Sequence, residues 1–147
     1  MRLCRIATGI MTSAVLLVPT VAAQETASHN YIVTPARETI TEDNPPFIPM
    51  IAGSIARGET DWYSTNVAAG TTELIIDLNR GDASNSLRMT VYAPGAAIGP
   101  YSDAYDAVNG RIYLRIKDSV GLHPGTWWFE IYGDKVTSTQ DYTVLTS

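Results

Sequence analysis

Residues 124–132 read PGTWWFEIY, and residues 109–117 read NGRIYLRIK. In the first stretch Trp127, Phe129 and Ile131 fall on one side of an extended chain, and Trp128, Glu130 and Tyr132 on the other. In the second, Ile112, Leu114 and Ile116 alternate with Arg111, Tyr113, Arg115 and Lys117. Each opens on a turn-forming pair, Pro124-Gly125 or Asn109-Gly110. Apolar residues recurring at every second position between turn signals specify strands with one dry and one wet face.

The same pattern extends outward from these two runs. Leu74, Ile76 and Leu78 share a side within Thr72 to Leu78, opposite Glu73, Ile75 and Asp77. Leu87, Met89 and Val91 do so opposite Arg88, Thr90 and Tyr92, and Pro94-Gly95 ends that run. Met50 to Ala56, Asp61 to Val67, and a last run with Tyr142 and Val144 on one side complete the set. No segment carries a helical stripe with start and stop signals. The predicted fold is all-β, an antiparallel sandwich or jelly roll of two packed sheets. Ala96 to Val108 (AAIGPYSDAYDAV) lacks clean alternation and reads as a long loop with at most a short strand or turn. Residues 24–46 read as an irregular segment in which Tyr31-Ile32-Val33 could form a short strand. Pro45-Pro46 ends it, so the sandwich is expected over residues 47–147.

The first 23 residues have three parts: positive Arg2 and Arg5, an apolar run, and small residues Val21-Ala22-Ala23 before Gln24. That is the layout of a secretory signal peptide, with cleavage expected after Ala23. Thr8, Thr12, Ser13 and Pro19 interrupt the apolar run, so it falls short of the roughly 20 residues that span a bilayer. The expected product is secreted or held in the cell envelope, with no membrane span. Cys4, the one cysteine, lies in this leader, so the mature chain is expected to be cysteine-free, without disulfides or thiolate metal sites. The formal net charge is −5, and losing Arg2 and Arg5 makes it more negative. An acidic chain is a poor match for phosphate backbones, so nucleic acid is not an expected partner.

Several motifs occur in a recognisable order. Gly53-Ser54-Ile55 precedes Gly58-Glu59-Thr60-Asp61-Trp62-Tyr63, and Val67-Ala68-Ala69-Gly70-Thr71 leads into Leu74 and Ile76. Then come Leu87-Arg88-Met89-Thr90-Val91-Tyr92-Ala93-Pro94-Gly95, Pro124-Gly125-Thr126-Trp127 with Ile131-Tyr132-Gly133, and Asp141-Tyr142-Thr143-Val144. From Ile51 to Leu145 this resembles the pre-peptidase C-terminal domain family, small β-sandwich modules of secreted bacterial and archaeal proteins. Relatives of that family serve as collagen-binding domains in some collagenases. Thr65 stands where the family usually has Phe. The resemblance implies a non-catalytic module that binds or positions an extracellular polymer, protein or cell-envelope component. It also implies calcium in some members, held by an acidic segment ahead of the first strand and acids near the Asp-Trp-Tyr motif. The matching positions here are Glu42, Asn44, Glu59 and Asp61. Calcium needs about six to eight oxygen ligands, which carboxylates, amide oxygens and carbonyls supply. Without a cation, Glu42 would be a solvated loop acid and Asp61 a strand-start residue bonded to nearby backbone.

By strand parity Tyr92, Tyr113, Trp128 and Tyr132 point away from the core, which makes them candidate ligand-binding residues. Aromatic rings on a sheet face stack on sugars or pack on fibrous polypeptides. The same rings also suit strands for their own sake. Catalysis has little to work with. The histidines are His29, in the N-terminal segment, and His123, in a Gly-Leu-His-Pro-Gly turn, and no serine sits in a nucleophile motif. There is no His-Glu-x-x-His for zinc. Arg80-Gly81-Asp82 reads as an ordinary turn between strands. The expectation is a binding module and not an enzyme. A structural envelope protein acting through self-association is the alternative, and a small hydrolase stands behind both.

Overall fold

The computed structural model describes residues 29–35, 51–105 and 110–147. Among these residues the chain forms nine strands and one 3-10 turn. The strands are β1 (Ile32–Pro35), β2 (Ile51–Ala56), β3 (Thr60–Val67), β4 (Glu73–Asn79), β5 (Ser86–Ala93), β6 (Ala96–Ser102), β7 (Arg111–Lys117), β8 (Gly125–Lys135) and β9 (Thr139–Thr146). They make two antiparallel sheets packed face to face, so the fold is the all-β sandwich that the alternation predicts. The five-stranded sheet, called A, has the order β1-β7-β4-β9-β2, and the four-stranded sheet, B, has the order β3-β8-β5-β6. From β2 onward the chain changes sheet at every connection except the β5–β6 hairpin. No helix of the described residues is long and apolar enough to cross a membrane.

The core lies between the sheets and is built from the predicted inward sets. Leu74, Ile76 and Leu78 from β4, with Ile112, Leu114 and Ile116 from β7, face Leu87, Met89 and Val91 from β5 and Trp127, Phe129 and Ile131 from β8. All are buried, and each comes from the dry side of its strand. Trp127 also uses its polar end, since its indole Nε1 donates to the carbonyl of His123 at 2.9 Å.

Two segments differ from the sequence expectation. Ala96 to Ser102 is not a loop but β6, paired with β5 across the two-residue turn Pro94-Gly95. A register irregularity between Met89 and Val91 lets Ile98 and Tyr101 both face the core across the Gly99-Pro100 interruption. That irregularity erases the period of two in the sequence. Asp103–Tyr105 forms the 3-10 turn, and residues 106–109 lie outside the described set. The second difference is at the N-terminal side. The short strand expected at Tyr31-Ile32-Val33 forms at Ile32–Pro35 and pairs with β7, so sheet A includes residues ahead of Phe47. Residues 1–23, expected as a signal peptide, and the rest of 24–46 apart from His29–Pro35 lie outside the described residues.

His29 sits in a packed position and not in a loose segment. Its Nδ1 is 2.9 Å from Asp118 Oδ2, and the backbone N–H of Asn30 donates to the same oxygen at 3.1 Å. The His29 ring stacks on Tyr31 and meets His123 edge-on, while Tyr31 meets Trp127 edge-on. Val120 donates its N–H to the other Asp118 oxygen. That bond, together with those from His29 and Asn30, holds the Asp118 carboxyl below the usual carboxylate range.

One close approach fixes how the end of sheet B meets the β2–β3 turn. Gly133 on β8 exchanges backbone bonds with the turn, accepting from Gly58 N at 2.9 Å and donating to Glu59 O at 3.1 Å. A Cβ on Gly133 would collide with the carbonyl oxygen of Ala56, a backbone atom that cannot swing aside. Gly133→Ala is therefore expected to lower stability by about 1–3 kcal/mol, seen as an earlier urea midpoint with an unchanged slope. A midpoint equal to wild type would show that the turn yields freely.

Candidate functional site

The outward side of sheet B gathers the aromatic residues. Register places Trp62 of β3 opposite Glu130 of β8 and Glu130 opposite Thr90 of β5. The adjacent row holds Ser64, Trp128, Tyr92 and Ala97, and the row on the other side holds Thr60, Tyr132, Arg88 and Ser102. Neighbouring strands are about 4.8 Å apart, and same-face residues along one strand about 7 Å, so these side chains share one surface. The Trp62 and Tyr92 rings meet with centroids 5.5 Å apart at a 35° tilt. Trp62 is 51% exposed and Trp128 is 47% exposed, among the largest apolar side chains left to solvent.

Polar bonds hold this surface in place. The Tyr92 hydroxyl donates to Glu130 Oε2 at 2.6 Å. That bond, more than burial, raises the Tyr92 phenol above its ordinary value, because the proton is shared with a carboxylate. The Arg88 guanidinium lies 4.7 Å from the Tyr132 ring centroid and its Nε is 3.4 Å from Asp134 Oδ1. A cation over an aromatic face is attracted by the ring quadrupole, so Tyr132 is partly covered by a neighbour already present.

Of the four aromatic candidates, Tyr92, Trp128 and Tyr132 share the surface and Tyr113 does not. Tyr113 faces outward from β7, but β7 belongs to sheet A. It is buried at 4% exposure, with the Arg111 guanidinium 4.2 Å over its ring. Arg111 in turn makes two bonds of 2.7 Å to the Asp77 carboxylate. Lys117 reaches Glu73 at 2.6 Å on the same side of sheet A. That side is a lattice of paired charges, whereas the sheet B side is aromatic. The residue missing from the expected set is Trp62. Its signal is the parity of Asp61-Trp62-Tyr63-Ser64-Thr65-Asn66, where Trp62 falls with the polar Ser64 and Asn66.

The calcium candidates divide. Glu42 and Asn44 lie outside the described residues. Glu59 Oε2 accepts the backbone N–H of Ala56 at 2.7 Å and closes the β2–β3 turn. Asp61 points to the sandwich interior, where Tyr142 donates to its Oδ2 at 2.5 Å. With that proton committed to Asp61, Tyr63 is left to donate to the Tyr142 oxygen, 2.7 Å away. Gly53, the register partner of Tyr142, makes room for the pair, since a Cβ there would lie 2.5 Å from Tyr142 and 2.6 Å from the Tyr63 hydroxyl. Among the described residues no group of three or more His, Cys, Asp or Glu could hold a metal ion.

The remaining polar clusters build turns and close an end of the sandwich. His123 Nδ1 contacts the Pro124 carbonyl at 2.8 Å, within its own turn. Arg80-Gly81-Asp82 is the turn expected, with Gly81 N–H donating to Asn79 and Ser84 N–H to Asp82. Arg80 is buried and paired with Asp103, and Gln140 bonds both to the Arg80 carbonyl and to Asn85. Burial raises the Asp103 carboxyl above the usual range despite its arginine partner. No family model matches the chain, and no curated protein matches it. The motif likeness noted in the sequence therefore rests on its own residues.

Tyr142 gives a pH signature. Burial first, then the bonds to Asp61 and Tyr63, push its phenol far above its ordinary value near 10. The folded state thus holds this proton more tightly than the unfolded chain. Its contribution is complete below about pH 10 and is lost as pH climbs toward the folded value. The wild-type stability is expected to fall above about pH 10 more steeply than that of Tyr142→Phe, which starts less stable by about 1–3 kcal/mol. Equal slopes in thermal melts would remove Tyr142 from the alkaline transition.

Proposed function

We propose that this chain is an exported, non-catalytic binding module that holds an extracellular glycan on the outward side of sheet B. The observation that carries the reading is the pair of half-exposed indoles, Trp62 and Trp128, beside Tyr92 on one rigid surface. Exposed rings cost free energy in water, and each gains by covering an apolar face. Sugar rings offer flat patches of C–H surface edged by hydroxyls, a shape that indoles and a neighbouring carboxylate suit. Trp128 and Tyr92 stand on the inner strands β8 and β5, and Trp62 on the edge strand β3, which pairs with β8 along its whole length, so the backbone under the rings is fixed before binding. Export is supported by the charged, apolar and small-residue order of residues 1–23. Membership of the pre-peptidase C-terminal family is supported by the motif order from Gly53 to Val144 and by the sandwich fold. A likeness of fold does not itself assign a ligand, so the aromatic surface and not the sandwich carries the proposal.

Affinity electrophoresis through gels containing soluble β-glucan, xylan or partly deacetylated chitin tests it. Wild type is expected to be retarded in at least one gel, and Trp128→Ala or Trp62→Ala to lose tenfold or more in affinity there. Wild-type mobility unaltered in every gel would sink the reading.

A further inference from the structure

The aromatic surface contains a carboxylate at its centre. Glu130 stands on β8 between Trp128 and Tyr132, and across from Trp62 on one side and Thr90 on the other. The Trp62 and Tyr92 rings come together across β8, and the Tyr92 hydroxyl ties itself to Glu130 Oε2. Aromatic faces carry negative potential, and a carboxylate among them adds a full negative charge. A neutral sugar needs the rings and a hydrogen-bond acceptor, but it gains nothing from the charge. The arginine on this surface does not neutralise it, because Arg88 is occupied by Asp134 and the Tyr132 ring. The chain as a whole is acidic, at −5, so long-range attraction also favours a positive partner.

From this juxtaposition we infer that the sheet B surface selects an amine-bearing polysaccharide, with a ligand ammonium at Glu130 and the adjoining sugar rings on Trp62 and Trp128. The inference rests on the glycan-binding reading above and specifies the charge of the glycan. An ammonium at Glu130 is attracted by the carboxylate and lies beside the Trp62–Tyr92 ring pair, whose π electrons add to that attraction. The surface is an open sheet face and not a closed cage, which suits one residue of a long polymer more than a small isolated cation. Repeated ammonium groups along such a polymer would let it rebind at the same surface after each release.

Tryptophan fluorescence titration of the full mature protein tests this with three oligosaccharides of equal length. They are a glucosamine oligomer with free amines, its N-acetylated counterpart, and a glucose oligomer. The free-amine oligomer is expected to bind roughly tenfold more tightly than the acetylated one. Added salt should narrow that ratio, since the carboxylate is only partly shielded from solvent. Glu130→Gln keeps an acceptor for the Tyr92 hydroxyl and is expected to bring the ratio close to one. Trp128→Ala should weaken all oligomers that bind. Acetylating the ligand removes the charge without touching the protein, so the test stands even if Glu130→Gln is unstable. Equal affinity for free-amine and acetylated oligomers would overturn the inference and leave the glycan reading intact. Binding of none of the three would overturn the inference, and joined to unaltered mobility in every gel above it would take down the glycan reading too. Tighter binding of a lysine homopolymer than of the glucosamine oligomer would overturn the choice of a sugar partner.

Discussion

Strand β8 has to serve two masters, and the period of two along its backbone is what allows it. Trp127, Phe129 and Ile131 fill the core from one side, and Trp128, Glu130 and Tyr132 form the middle of the aromatic surface on the other. A slip of one residue would send three charged or amphipathic groups inward and the largest core side chains into water. Fold and candidate site are therefore fixed by the same register. That register is held along Thr60–Val67 by β3 and along Ser86–Tyr92 by β5, and the close approach of Gly133 to the β2–β3 turn pins its far end.

The two outer surfaces of the sandwich show how differently exposed strands can be finished. Sheet A spends many of its outward positions on carboxylate–guanidinium and carboxylate–ammonium pairs, which satisfy one another, and its exposed large apolar residue is the aliphatic Ile32 on edge strand β1. Such surface pairs contribute modestly to stability but keep a sheet face soluble. Sheet B leaves two indoles half uncovered beside a carboxylate. A protein selected only for solubility has no use for that arrangement, and the contrast within one small domain directs attention to sheet B.

Much of this architecture is legible in the sequence because burial imposes its own spacing. The inward sets of β4, β5, β7 and β8 follow directly from alternation between turn residues. β6 was hidden because Gly99-Pro100 and the register irregularity break the rhythm of Ala96–Ser102. β1 was only hinted at, since its neighbours supply much of its reason to exist: the ladder to β7, and the Asp118 carboxylate that receives His29 and Asn30. For the candidate site, parity assigns each side chain to the outside correctly but cannot say which sheet a strand joins. Parity alone therefore groups Tyr113 with Tyr92, Trp128 and Tyr132, although β7 lies in the opposite layer. Trp62 belongs to the Asp-Trp-Tyr motif, and its place beside Ser64 and Asn66 in the alternation puts it outward.

The habit of crossing between layers at nearly every turn has a bearing on how the domain is born. Apart from β5–β6, each ladder joins stretches far apart along the polypeptide, and such topologies assemble slowly. β9, the last strand among the described residues, inserts between β4 and β2, so sheet A stays split until Thr139–Thr146 has been made. Until then the edges of β4 and β2 that β9 will cover stay bare. Late closure of sheet A is thus written into the order of its strands.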